Sequence, residues 1–259
     1  MFLGVKWYSL NNRGDGMRDL NSEFEDTEDR KYAYEFDYIH RHFMMKGLES
    51  WFGGTDALEL GCYHGEFSKL LLNRFEHLSI VEGASNLAEI TKNNLASHAN
   101  QDFEVHNAYF EEVELSRQYD VIFMVHTLEH IDNPTGVLQR MQSWLKPTGK
   151  MFIVVPNANA ASRQIAVSMD LIKHNQAVTE GEYKHGHRKT YALDTLVDEV
   201  RGAGLTPLHQ GGILFKGLAN FQMDKALASG IIDMAYLEGC YHLGHRYPDL
   251  CASVYVVCR

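Results

Sequence analysis

From Asp56 onward, apolar residues fall into short runs of two kinds, and the two kinds alternate. "DALELGC", "HLSIVEG", "YDVIFMVH" and "KMFIVVPN" are near-continuous apolar runs of strand length. Runs of that kind mark strands buried on both faces. Between them, "GEFSKLLLNRF", "NLAEITKNNLAS" and "PTGVLQRMQSWL" read as helices. Pro134 stands near the start of the last one, where its missing N–H costs nothing. "QDFEVHNA" and the closing "CASVYVVCR" alternate like strands, and "ALDTLVDEVRGAG" followed by "LTPLHQGGILF" adds a helix and a strand. Strand and helix in alternation predict an α/β fold, a parallel sheet covered on both faces.

Three stretches depart from that rhythm. "KYAYEFDYIHRHFMMKGLESWF" fits a helix with Tyr34, Tyr38 and Met45 on one face and Phe36 and Phe43 flanking it. Residues 11–30, rich in Asn, Asp and Glu, read as a segment that orders when something binds. Residues 158–190 stand where a short connection would suffice, and loops of that length carry function or structure of their own. A further helical stretch is expected over about 216–243. The division that follows is a helical lid segment over 1–52 and a main domain over 53–259.

Charge and cysteines narrow the setting. Lys plus Arg number 24 and Asp plus Glu 34, a net charge of −10, which disfavours bulk binding to nucleic acid or an anionic membrane. Cys62, Cys240, Cys251 and Cys258 form no C-x-x-C pair and suggest no disulfide framework. No apolar stretch at the amino terminus suits a leader, and none approaches a membrane span. A reduced, cytoplasmic protein is the expectation.

The chemistry concentrates at "LELGCYHGEF". In an open α/β sheet, ligands bind outside the carboxyl ends of the strands. Gly61 lets backbone approach a ligand there, and Gly65 lets the next helix begin tightly. A dinucleotide fingerprint would read G-x-G-x-x-G, but Tyr63 and Glu66 occupy its second and third glycine positions. The turn carries no Lys or Arg, so the ligand it suits has no phosphate. Glu82 ends the second strand about twenty residues on, where an acid accepts hydrogen bonds from ribose hydroxyls. Ribose without phosphate points to a nucleoside.

"ELGCYHG", the strand-end Glu82, "YDVIFMVHTLEHIDNP" and "LKPTGKMFIVVPN" together resemble the class I S-adenosylmethionine-dependent methyltransferases, small-molecule type, similar to the ubiquinone-biosynthesis O-methyltransferases. The resemblance is densest over residues 56–157. It implies a Rossmann-like three-layer sandwich with a seven-stranded sheet of order 3-2-1-4-5-7-6, strand 7 antiparallel. It implies S-adenosylmethionine as cofactor, with S-adenosylhomocysteine as product. Gly61 and Gly65, with Cys62, would line its methionine part, and Glu59 would hold the loop from behind. Glu82, beside Gly83, would take both ribose hydroxyls. Tyr109 and Phe110 occupy the adenine stretch, although an Asp common there in the family is missing. His126 would wall the methionyl end.

The remaining candidates are histidines and lid aromatics. His126 and His130 in "HTLEH" stand four apart, the spacing of one helix face. His130 and His187 are the candidate bases for a hydroxyl acceptor, since a histidine titrates near working pH. The alternative for both is support of their loops. His185 and His187 have metal-like spacing but no partner cluster by sequence, so no metal is expected. Tyr34, Tyr38 and His40 are placed on the lid, toward substrate. The expected reaction is methyl transfer to a hydroxyl, or an amine, of a small-molecule acceptor. A non-catalytic cofactor-binding module and a nicotinamide-dependent oxidoreductase stand as alternatives.

Overall fold

The computed structural model describes residues 18–26, 31–98 and 101–259. The stretch read for a leader and residues 11–17 and 27–30 of the binding-ordered segment lie outside them. The sheet has seven strands: β1 (Asp56–Leu60), β2 (His77–Glu82), β3 (Asp102–Asn107), β4 (Tyr119–Val125), β5 (Leu145–Pro156), β6 (Pro207–Phe215) and β7 (Cys251–Cys258). Their order is β3-β2-β1-β4-β5-β7-β6, and β7 runs antiparallel to both its neighbours. This is the expected fold. β1, β2 and β4 are buried almost end to end, which is why their sequences run apolar without alternation.

Among the described residues, ten α-helices pack around the sheet: α1 (Leu20–Glu23), α2 (Glu35–Leu48), α3 (Glu66–Leu72), α4 (Ser85–Asn94), α5 (Pro134–Ser143), α6 (Ala161–Ser168), α7 (Glu180–Lys184), α8 (Leu193–Gly202), α9 (Asn220–Ala228) and α10 (Met234–Gly244). The long connection after β5 thus carries two helices, α6 and α7. The stretch over 216–243 is two helices rather than one, because α9 ends at Ala228 and Gly230 takes a left-handed turn at φ +71°.

The face that α2 buries differs from the one expected. Phe36, His40, Phe43, Met44 and Leu48 point inward, at i, i+4, i+7, i+8 and i+12, while Tyr34 and Tyr38 stay partly exposed. Phe36, Phe43, Met44 and Leu48 join the apolar layer that holds Phe67, Leu71, Phe123 and Phe152. Each of these side chains contributes about 1.5–3 kcal/mol by leaving water. One face of the expected lid helix is therefore core. Asp224 on α9 anchors its start, accepting from the Phe36 N–H at 2.7 Å and the Glu35 N–H at 3.2 Å. Among the described residues, no helix is long and apolar enough to cross a membrane.

Candidate active site

Every strand from β2 to β6 in the sheet order ends or begins at one edge, and a cavity of about 870 Å³ opens along that edge. Its floor takes Glu82 from the end of β2, Gly61 after β1, His126 after β4, Asn157 after β5, Ser253 from β7 and Lys216 after β6.

The turn after β1 explains the glycine. Gly61 has φ +77°, and a Cβ there would stand 2.4 Å from Thr127 Oγ1. The backbone therefore lies against the loop after β4, and Gly61 itself lines the cavity. Behind it, Ser68 on α3 donates to Glu59 at 2.5 Å. Burial pushes Glu59 up to about 8, against the pull of that hydrogen bond. Glu82 accepts from the Cys62 N–H at 3.1 Å and the Ala84 N–H at 2.9 Å. Burial raises its pKa, and those backbone donors oppose the rise. The Cys62 thiol also lies 3.7 Å from Oε2, so Oε1, which takes the Ala84 N–H, is the oxygen with more acceptor capacity left for a ligand.

Of the cofactor candidates, Glu59, Gly61, Cys62, Glu82, Gly83, Tyr109, Phe110 and His126 line the cavity. Gly65 does not; it caps α3 at φ +80° and packs against Thr91. Of the lid candidates, Tyr34 and His40 line the cavity and Tyr38 does not. Burial holds His40 down to about 3, so its ring is neutral there.

His126 and His130 do not share a helix face. His126 leaves β4 in a left-handed conformation, φ +52°, and only residues 128–130 form a single tight turn. His126 Nε2 instead meets Ser253 Oγ at 2.7 Å across the sheet edge. His130 turns the other way, to His187, with ring centroids 4.6 Å apart and edge to face. Glu129 lies with them: Glu129, His130 and His187 each offer a ligand atom, all within 4.8 Å of one another. Residue spacing alone does not reveal this cluster. It forms because the Arg188 N–H bonds to the Glu129 carbonyl at 2.7 Å and the His187 N–H to the Glu182 carbonyl at 3.0 Å. Glu129 Oε2 and His130 Nδ1 are buried without a hydrogen-bond partner among the described residues. Burial raises Glu129 to about 8 and holds His130 well below the ordinary histidine range, with His187 and Arg18 adding to the latter.

Arg41 escaped the sequence reading. Its guanidinium lines the cavity, lies 5.8 Å from the Tyr38 ring centroid and forms no ion pair among the described residues. The signal was present, because Tyr34, Tyr38 and Arg41 stand at i, i+4 and i+7 on one helix face.

Aromatic rings cover the opening. Tyr32 sits 4.8 Å from Tyr63, 5.0 Å from Phe24 and 5.2 Å from His185, centroid to centroid. An ion-pair square ties this cover down. Arg18 bonds Glu23 at 2.6 Å and Asp132 at 3.0 Å, while Arg188 bonds both acids at 3.1 Å. Arg18 also donates to the His130 carbonyl at 2.6 Å.

Comparison with known proteins agrees on one family. The profile of a family described as a methyltransferase domain matches residues 51–210. A ubiquinone biosynthesis O-methyltransferase of Xanthomonas axonopodis pv. citri is 26% identical over 115 residues, 44% of this chain and 48% of its own length. Another of the same description, from Marinobacter nauticus, is 31% identical over 154 residues, 58% and 60% of the two chains. The chain thus spans about half the length of the first curated relatives it matches. Among solved structures, the CcbJ methyltransferase of Streptomyces caelestis covers 93% of this chain and 99% of its own, with a TM-score of 0.60 at 14% identity. The N-methyltransferase NodS of Bradyrhizobium japonicum, solved with S-adenosylhomocysteine, gives 0.56 at 12% identity, over 93% and 98% of the two chains. At those identities the likeness is one of fold.

Proposed function

The chain belongs to the methyltransferase-domain family, and from that premise we propose that it transfers the methyl group of S-adenosylmethionine to a hydroxyl of a small organic acceptor. One observation carries the reading: one cavity joins a strand-end acid, an open glycine turn and half-buried histidines held neutral along the carboxyl edge. Glu82 accepts the ribose hydroxyls with its remaining lone pairs. Tyr109 and Phe110 flank the base, and Gly61 lets the amino-acid tail pass close to backbone. Arg41, which lines the cavity and forms no ion pair among the described residues, pairs with the methionine carboxylate.

S-adenosylmethionine, when bound, supplies a methyl carbon made electrophilic by its sulfonium. The protein's task is alignment, proton removal and exclusion of water. His130 lines the cavity and is held neutral, so its unprotonated ring nitrogen accepts the proton of the acceptor hydroxyl. His187, edge-on to that ring, holds its orientation. Phe24, Tyr32 and Tyr63 cover the site against water.

The test is incubation with S-adenosylmethionine and matched panels of phenols, alcohols and amines, with S-adenosylhomocysteine and methylated product followed by mass spectrometry. Methylation of hydroxyls, lost in His130→Ala, is the expected result. Methylation of amines alone, or turnover indifferent to His130→Ala, contradicts it.

A second reading is favoured by the unpartnered Glu129 Oε2 and His130 Nδ1. Those atoms, with His187, suit a divalent cation that would lower the hydroxyl's pKa by coordination. Turnover that stops on chelation and returns with Mn²⁺ supports this reading; turnover unchanged by chelation removes it.

A further inference from the structure

The strand order sets β2 and β6 five spacings apart, roughly 24 Å along the carboxyl edge. A nucleoside at Glu82, with its tail over Gly61, fills the half above β2, β1 and β4. The half above β5, β7 and β6 is left for the acceptor, and Lys216 walls its far end.

Lys216 is an unusual wall. It is buried, its ammonium lies 5.6 Å from the Phe36 ring centroid, and it donates one hydrogen bond, to the Leu218 carbonyl at 3.0 Å. An ammonium has three donors, so two remain. No carboxylate among the described residues pairs with it. Asp37 acts on it from a distance. The two Asp37 oxygens accept from the Tyr34 N–H at 2.8 Å and from Asn220 Nδ2 at 2.7 Å. Burial lowers Lys216 to about 8, which still leaves it mostly cationic at neutral pH. A buried cation without a counter-charge is destabilising, and sites that keep one commonly meet the missing charge on a ligand.

The neighbours point to the same ligand. Of the other cations lining the cavity, Arg163 is spent on Glu182 and on the carbonyls of Asn175 and Ala177, Arg18 on Glu23 and Asp132, and Arg41, which also acts on Asp37, is the one assigned above to the methionine carboxylate. Ala219, Asn220 and Phe221 line the cavity at the start of α9; the Ala219 and Gln222 N–H groups are bonded within the turn, and the end of the helix dipole there still favours negative charge.

We infer that Lys216 recognises a carboxylate on the acceptor, at the end remote from the methylated hydroxyl. The inference rests on the methyl-transfer reading. One compact ammonium matches one negative charge, which selects a carboxylate over a doubly charged phosphoryl group.

The test uses benzoate and benzamide, similar in shape and different by one charge, titrated calorimetrically into the full chain loaded with S-adenosylhomocysteine. Benzoate is expected to bind at least about tenfold tighter, the worth of one charge-assisted hydrogen bond. Lys216→Met should erase that preference and Lys216→Arg should keep it, with S-adenosylhomocysteine affinity unchanged in both as the control for folding. Equal affinities in the wild type, or a preference that survives Lys216→Met, overturns the inference. Inorganic phosphate binding more tightly than benzoate overturns the carboxylate assignment. Failure of S-adenosylhomocysteine to bind strikes the methyl-transfer reading instead.

Discussion

At opposite ends of the strands, two clusters among the described residues set histidine beside acid, and one of these two lines the cavity. At the start of β2 and β3, His77 Nδ1 meets Asp102 at 2.8 Å and His77 Nε2 meets Ser79 Oγ at 3.0 Å. That order of acid, imidazole and hydroxyl is the arrangement of a nucleophilic triad. Yet Ser79 is fully buried, donates to Glu104 at 2.7 Å and accepts from the Tyr119 hydroxyl at 2.8 Å. None of its members lines the cavity. At the other end of the strands, Glu129, His130 and His187 gather in the cavity wall, with Glu129 Oε2 and His130 Nδ1 unanswered. Residue types are alike in the two places. What separates them is hydrogen-bonding capacity left over beside space for a ligand.

The largest expected effect separates the two clusters directly. His130→Ala should lower kcat by roughly 10²–10⁴-fold, the worth of a general base, while S-adenosylhomocysteine affinity stays within about twofold. His77→Ala should leave kcat within about twofold and cost about 1–3 kcal/mol of stability, because a buried ring and its two hydrogen bonds are lost, read by urea unfolding. Equal losses of kcat in both variants would erase the distinction.

A smaller effect appears in the pH dependence of stability. The buried acids Glu59 and Glu129 hold their protons up to about 8 in the folded chain and lose them near 4.5 when unfolded. The folded state therefore binds more protons across that window, and stability falls as pH rises through it. His40, held at about 3 when folded, works on the other side: the unfolded chain takes its proton below 6.5, and stability falls as pH drops from 6.5 toward 3. Glu59→Gln has no proton to lose. Its Tm relative to wild type should rise from pH 5 to pH 8, and a parallel offset at both values would refute the buried-acid account.

The smallest effect concerns the cover. Its ion-pair square is partly exposed, so each pair contributes only about 0.2–1 kcal/mol and is screened by salt. Arg188→Ala should raise KM by a few fold and flatten its dependence on salt, in steady-state kinetics across ionic strengths. A KM unmoved by both changes would mean the square does not hold the cover.

The sequence carried most of the fold and about half of the site, for reasons that lie in particular residues. Strands such as Tyr119–Val125 are buried on both faces, so their apolar runs read as strands without help from tertiary structure. Glu82 and Gly61 were legible because a strand end and its turn are local features. The helical reading of "HTLEH" failed because His126 leaves its strand with positive φ, a conformation that spacing does not reveal. His187 reaches Glu129 only through the long connection after β5, and Ser253 and Lys216 reach the cavity only because β7 inserts between β5 and β6. Arg41 was within reach, on the face already marked by Tyr34 and Tyr38.

The central claim is that the cavity holds a nucleoside through Glu82. Isothermal titration of the wild type and of Glu82→Ala with S-adenosylhomocysteine tests it most directly. Clear binding by the wild type and a loss of at least about tenfold in the variant are expected, as charge-assisted hydrogen bonds to the ribose disappear. No binding by the wild type, or equal affinity in the two proteins, would contradict it.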